Sequence, residues 1–179
     1  ILSGTGSQPK ALCNFGLLAA KLEALRLGPR GKSKFLDNLS FGTYNKRITP
    51  HRTPNDWLSR DNAIVDKYYS DEDCGFLSTV SLFSDMLGGI KFISDRKNLQ
   101  KMQKDLPIFF FSGEEDPVGN YGKGVTVAYR SFLNAGCTDV TLKLYPGGRH
   151  EMLNETNKQE VYADILTWLE SKLPVTDNI

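Results

Sequence analysis

One stretch constrains the fold of this chain more than any other: Leu106-Pro-Ile-Phe-Phe-Phe-Ser112, an almost unbroken apolar run. A strand with one wet face alternates apolar and polar residues. A run without alternation therefore predicts a strand buried on both faces, as in a parallel sheet covered by helices. The residues that follow agree. Val125, Ala128, Tyr129, Phe132 and Leu133 recur at helical spacing and predict one apolar helix face, with Gly136 as its stop. A second strand is predicted over Val140–Tyr145. Parallel strands need a crossover of this length, so strand, helix and strand form a βαβ unit and the expected fold class is α/β.

Val161, Ile165, Trp168 and Leu169 mark one face of a closing helix from about Glu155 to Lys172, with Pro174 beyond its end. Residues 78–104 also read as helical, and Gly88-Gly89 is expected to break or bend them. Residues 10–77 hold short amphipathic patches, scattered Gly and Pro, and no strand-like alternation. They predict a helical insertion, with loops at Pro29–Gly31 and Gly42–Pro54.

The 22 basic and 21 acidic side chains nearly cancel, which leaves no overall field for gripping nucleic acid, and no such partner is expected. The balance is local: residues 21–60 carry nine Lys/Arg against three Asp/Glu, and residues 61–116 carry six against eleven. Two readings stand, a solvated mixed surface and a basic flap near an anionic substrate or membrane surface. Cys13, Cys74 and Cys137 are odd in number, far apart and without metal-ligand spacing. They suggest neither disulfides nor a zinc site and fit a reducing, cytoplasmic setting. No cofactor or metal is expected. Neither a signal peptide nor an apolar run long enough to span a bilayer is present, so stable membrane insertion is not expected. The chain opens Ile-Leu-Ser without Met, in what reads as the tail of a buried strand. This is the expectation for a piece of something longer, although a processed start would look the same.

Two glycine patterns invite nucleotide readings and fail. Gly28-Pro-Arg-Gly31-Lys32-Ser33 lacks the first glycine of a phosphate loop, since position 26 is Arg26. Ser3-Gly4-Thr5-Gly6-Ser7-Gln8-Pro9 places proline where a dinucleotide fingerprint needs glycine or alanine. The loop Ser112-Gly-Glu-Glu-Asp116-Pro-Val-Gly119 is more informative, because it leaves the carboxyl end of the apolar strand, where open α/β sheets place ligands. His150 lies in the loop after the next strand, in Tyr145-Pro-Gly-Gly-Arg-His150-Glu-Met-Leu-Asn-Glu155, and Gly147 and Gly148 let that loop turn tightly. In a parallel βαβ unit both loops leave the same sheet edge, so Asp116 and His150 are expected to approach. A carboxylate beside an imidazole fixes its tautomer and stabilises its protonated form, which suits general base and acid work. An ordinary surface ion pair is the competing reading. His51, between Pro50 and Arg52, reads as a plain surface residue.

With these two loops together, the sequence resembles the α/β-hydrolase superfamily, and more narrowly its monoacylglycerol lipase, lysophospholipase and serine aminopeptidase-like branch. The matching stretches are Phe110–Gly119 and Tyr145–Glu155. More weakly, Arg52-Thr-Pro-Asn-Asp56-Trp57-Leu-Ser-Arg60-Asp61 with Val65-Asp-Lys-Tyr68 is similar to that branch's lid. The resemblance implies a Ser-Asp-His triad with Asp116 as the orienting acid and His150 as the base. It also implies three segments: 1–9 as the end of a core strand and its loop, 10–85 as a helical cap, and 86–179 as the C-terminal part of the hydrolase core. The G-x-S-x-G elbow that carries the family nucleophile does not occur here. Ile1-Leu-Ser-Gly resembles the strand after the nucleophile helix, which places the serine and the oxyanion donors upstream of Ile1.

The expected function is therefore hydrolysis of carboxylic esters of monoacylglycerol or lysophospholipid type. These 179 residues alone would be inactive, and the upstream half of the hydrolase, on the same polypeptide or as a nicked partner, would be the needed companion. The alternative is a non-catalytic binding or assembly module on a hydrolase scaffold.

Overall fold

The structure, a computed structural model, describes residues 1–3 and 6–173. Its centre is a parallel sheet of β1 (Leu2–Ser3), β2 (Ile108–Gly113) and β3 (Val140–Tyr145), in the order β1-β2-β3. All six residues of β2 are buried, and the pleat explains how an unalternating run achieves this. Phe109 and Phe111 pack on one side with Tyr145, Met152 and Val161. Ile108 and Phe110 pack on the other with Val125 and Cys137. Pairing to β3 begins at Ile108 rather than at Leu106, because Pro107 has no N–H to give the ladder and Leu106 stays exposed.

Each face has its helix. Helix α6 (Lys123–Asn134) covers the Phe110 side, where Phe110 and Phe132 meet edge to face at 5.1 Å. Leu133 departs from expectation and is exposed; it sits about 80° round the helix from Val125, at the margin of the buried stripe. Gly136, at φ 96°, turns the chain after the helix as expected. Helix α7 (Lys158–Glu170) covers the Phe109 side, with Trp168 stacked 5.5 Å from Phe109. It starts later than predicted, because Met152–Asn154 form a 3-10 turn and Glu155 points inward. Pro174, its predicted stop, lies outside the described residues.

The remaining helices are α1 (Lys10–Leu27), α2 (Lys34–Phe41), α3 (Asn62–Ser70), α4 (Val80–Ile93) and α5 (Arg96–Leu99). Helix α1 is one 18-residue helix rather than a set of short patches. It meets α2 and α4 through Ala19, Ala20, Leu36, Val80 and Phe83, and the alanines allow close approach of the helix axes. Helix α4 corrects a second expectation. It continues unbroken through Gly88-Gly89 to Ile93, with Ser94 as its C-cap. A Cβ at either glycine would touch nothing, so both face open space. Their cost of about 1 kcal/mol each relative to alanine is outweighed by packing of the flanking residues on α1. Ser33, Asp61, Thr79 and Asp95 cap α2, α3, α4 and α5 by accepting a backbone N–H. The two predicted loops are present, the second containing a 3-10 turn at Tyr44–Arg47. Among the described residues no helix is long and apolar enough to cross a membrane.

Candidate active site

Strand pairing carries the site. Beyond β2 and β3 the two chains stay bonded: Glu114 N donates to Tyr145 O at 3.0 Å, and Glu115 N donates to Gly148 O at 2.8 Å. Gly113 must be glycine, because a Cβ there would collide with the Gly148 carbonyl. Of the three consecutive carboxylates, Glu114 and Glu115 face solvent and Asp116 is fully buried. Asp116 Oδ1 accepts Val118 N at 2.8 Å, which closes a local turn and fixes the carboxylate. Its Oδ2 lies 3.1 Å from His150 Nδ1 and 3.5 Å from Ser112 Oγ.

The histidine loop turns at Gly147, where φ is 68°. The structure thus brings Asp116 and His150 together across 34 positions. With Nδ1 engaged by the carboxylate, Nε2 is the nitrogen left for proton exchange. Chemically, the pair can take a proton from a nucleophile and return it to a leaving group.

A segment that the sequence related only to a lid also holds this loop in place. Residues 56–60 run beside it: Glu151 N donates to Leu58 O at 2.8 Å, and His150 N donates to Trp57 O at 3.4 Å. The Trp57 indole lies 5.2 Å from the imidazole. Arg149 Nη1 donates back to Asp56 O at 2.6 Å and Ser59 O at 2.9 Å.

Glu155, fully buried, accepts Arg149 N (2.9 Å) and Arg60 N (3.0 Å) on Oε1, and Arg60 Nε (2.9 Å) and Thr156 N (2.8 Å) on Oε2. Burial alone pushes this carboxyl up. The three backbone donors and the Arg60 guanidinium outweigh it and hold Glu155 below the usual range. The one signal available in the sequence was that Arg60 and Glu155 fall inside the stretches that carry the family resemblance.

Tyr44 and Phe41 pack on Trp57, at 4.9 and 6.4 Å between rings. Burial, and then the Asp116 charge, pushes the Tyr44 phenol up. Trp57 also lines a cavity of about 920 Å³ among residues of the 37–78 region, with Phe41, Ile48, Tyr68 and Phe76. His51 is exposed at its rim. The broken phosphate-loop pattern is a helix junction, in which Gly28 ends α1 and Ser33 caps α2. Of the second pattern, Gly4 and Thr5 lie outside the described residues, and Pro9 opens α1.

Comparison with known proteins agrees with this fold. A thermostable carboxyl esterase from Bacillus coagulans, solved with glycerol, superposes with a TM-score of 0.84 at 26% identity, over 95% of this chain and 55% of that one. A lipase in an open form matches with a TM-score of 0.78 at 24% identity, over 95% of this chain and 56% of that one. A soluble variant of monoglyceride lipase from Saccharomyces cerevisiae, bound to a substrate analogue, matches with a TM-score of 0.61 at 20% identity, over 92% and 52%. At these identities the last two speak to the fold alone. The chain spans about half the length of these solved structures. No curated protein matches it. The family described as serine aminopeptidase, S33, matches residues 6–157, most of the sequence and both loops of the dyad, and the chain belongs to that family of α/β-hydrolases.

Proposed function

We propose that this chain is the C-terminal part of a serine ester hydrolase acting on lipid esters of monoacylglycerol or lysophospholipid type. The observation that carries the reading is the buried Asp116 carboxylate 3.1 Å from His150 Nδ1, at the carboxyl end of paired parallel strands. His150 takes the proton of a serine supplied outside these 179 residues as that serine attacks the ester carbonyl. It then protonates the departing alcohol. Asp116 holds the ring and offsets its transient charge. Residues 10–85 act as the cap, and the cavity of about 920 Å³ that Phe41 and Trp57 line within it takes the acyl chain. The name of the carboxyl esterase matched at 26% identity supports an ester as the substrate. Fluorophosphonate labelling of the full-length protein tests the reading: one serine in a G-x-S-x-G elbow is expected to be labelled, and a protein that resists labelling would contradict it.

The companion is the upstream half of the same hydrolase. Two features support this. Among the described residues β1 is an edge strand, and an apolar cavity of about 660 Å³ opens beside it, lined by Ile1, Leu2, Ile93, Leu106, Phe110 and Phe132. Open apolar edges promote association, so the isolated 179 residues are expected to aggregate or fold poorly. A sharp, monomeric, cooperative unfolding transition for them alone would contradict the proposal.

A further inference from the structure

We infer that Glu155 is a positioning residue that holds His150 in register with Asp116 by tying the histidine loop to the Trp57 segment. This rests on the reading of His150 as the base. Glu155 itself touches neither His150 nor Asp116 among the contacts of the described residues. What it touches are the peptides on both sides of the imidazole. Its Oε1 accepts the N–H of Arg149, the residue before His150, and the N–H of Arg60, three residues after the tryptophan that faces the ring. One oxygen atom therefore clamps two chain segments 95 or so positions apart at a fixed spacing.

Oε2 takes the Arg60 guanidinium and Thr156 N, so both carboxylate oxygens are fully used. The clamp is returned from the other side by Arg149, whose guanidinium bonds the Asp56 and Ser59 carbonyls, and by Ser59 Oγ, which donates to Asn154 O at 2.9 Å.

A buried charge of this kind is a costly way to gain stability alone, because desolvation consumes most of its attraction. Its geometric product is specific: the loop that carries the imidazole and the segment whose indole packs on that ring are bonded to one carboxylate oxygen. Remove the negative charge and the two N–H groups at Oε1 and the guanidinium at Oε2 compete for a single amide oxygen, while an NH₂ faces a donor. The loop must then shift, and the Nδ1–Asp116 bond shifts with it. A second consequence follows for the cap: residues 56–60 belong mechanically to the base, so any opening of the cap has to bend elsewhere.

The test uses the full-length enzyme and a short-chain nitrophenyl ester. In Glu155→Gln, kcat is expected to fall about 10-fold or more, since a misplacement of about 1 Å can cost about 100-fold, with KM held within about twofold. In the same variant the downfield NMR resonance of the His150 Nδ1 proton is expected to weaken or broaden. Arg149→Met, which removes only the return arm, is expected to give a smaller version of both changes, and it carries both readings if Glu155→Gln does not fold. Unchanged kcat in a folded variant overturns the inference, and so does a lower kcat with an intact Nδ1 resonance, because that is the signature of stability without positioning. His150→Ala assayed alongside separates the two levels: full activity there would sink the base assignment, whereas an inactive His150→Ala beside a fully active Glu155→Gln would sink only the clamp.

Discussion

The sheet and the helical insertion are built on opposite plans. In β2 every side chain is buried, one face against α6 and the other against α7. In α1, Leu12, Phe15, Leu18, Leu22 and Leu25 are 53 to 81% exposed, and only Cys13, Ala19, Ala20 and Glu23 are buried. Strand β2 is thus closed on both faces, while β1 stays an open edge, whereas the insertion closes a small core of alanines, Leu36, Val80 and Phe83. The two regions also position the site differently. Asp116 and His150 are set by backbone ladders that run on past the strand ends, while the insertion reaches the site through the Trp57 and Leu58 carbonyls, the Trp57 ring and the Arg60 side chain, which meet the histidine loop at His150, Glu151 and Glu155. Changes in the insertion that leave the bonds of residues 57–60 to the histidine loop intact should therefore alter the shape of the pocket more than the placement of Asp116 and His150.

The largest expected effect falls on the ladder side. In the full-length enzyme, His150→Ala and Asp116→Asn are each expected to lower kcat for ester hydrolysis by about 10³- to 10⁴-fold, the scale for losing one member of a triad. The double variant is expected to lose little more, because the two act as a unit. Additive losses would break the picture of a coupled pair.

Next come the two cores. Phe111→Ala, in the sheet, is expected to lower global stability by about 3–5 kcal/mol, read from denaturant midpoints of the full-length protein. Phe83 is equally buried, at 1% exposure, yet it belongs to the small core of the insertion. Phe83→Ala is expected to appear mainly as faster amide exchange confined to α1, α2 and α4, a local opening below the global transition. Equal losses of global stability would show that insertion and sheet unfold as one unit.

The same contrast governs what could be read in advance. Strands β2 and β3 and helix α6 were legible because burial on two faces writes an unbroken apolar run, a short period and a glycine stop directly into the residues. Topology then placed Asp116 beside His150 without any knowledge of side-chain packing. Helix α1 was harder, since alanines fill its inner face and leucines its outer one, so that no single apolar stripe stands out. Gly88-Gly89 misled for a related reason: local propensity argued for a break, and contacts with α1 supplied through space overrode it. The pairing of Glu155 with Arg60 was not legible, although both residues lie in stretches that carry the family resemblance. Their bond joins two loops far apart in sequence, and no periodicity encodes a loop-to-loop clamp.

A smaller effect depends on pH and lies wholly in the insertion. Glu23 accepts hydrogen bonds from Arg26 and from Ser33, the cap of α2, and these hold its carboxyl down to about 2 from an ordinary 4.5. A carboxyl lowered by folding stabilises fully above its unfolded value, and that contribution is lost as pH falls from 4.5 toward 2. Glu23→Gln is therefore expected to lower the Tm of the insertion at pH 6, and the gap from wild type is expected to shrink between pH 4.5 and 2. Because the Arg26 side chain is largely exposed, the pair is screened and the gap at pH 6 is expected to be modest. A gap that stays constant to pH 2 would assign the loss to packing rather than charge.

The smallest effect is the most diagnostic for the insertion. Leu25 is 81% exposed near the end of α1. If that surface is open in the full-length protein, Leu25→Ala removes a side chain that buries almost nothing, and stability is expected to stay within about 0.5 kcal/mol of wild type. Alanine even carries a slightly better helix propensity. A loss of about 2 kcal/mol or more would instead be the cost of emptying a filled contact. It would mean that the outer face of α1 is covered in the whole protein, that the insertion owes part of its core to residues outside this chain, and that the contrast with the doubly covered strand β2 holds for these 179 residues alone. Denaturant midpoints of the two full-length proteins, measured side by side, separate the cases, and Leu18→Ala on the same face checks that the answer belongs to the stripe and not to one position near a helix end.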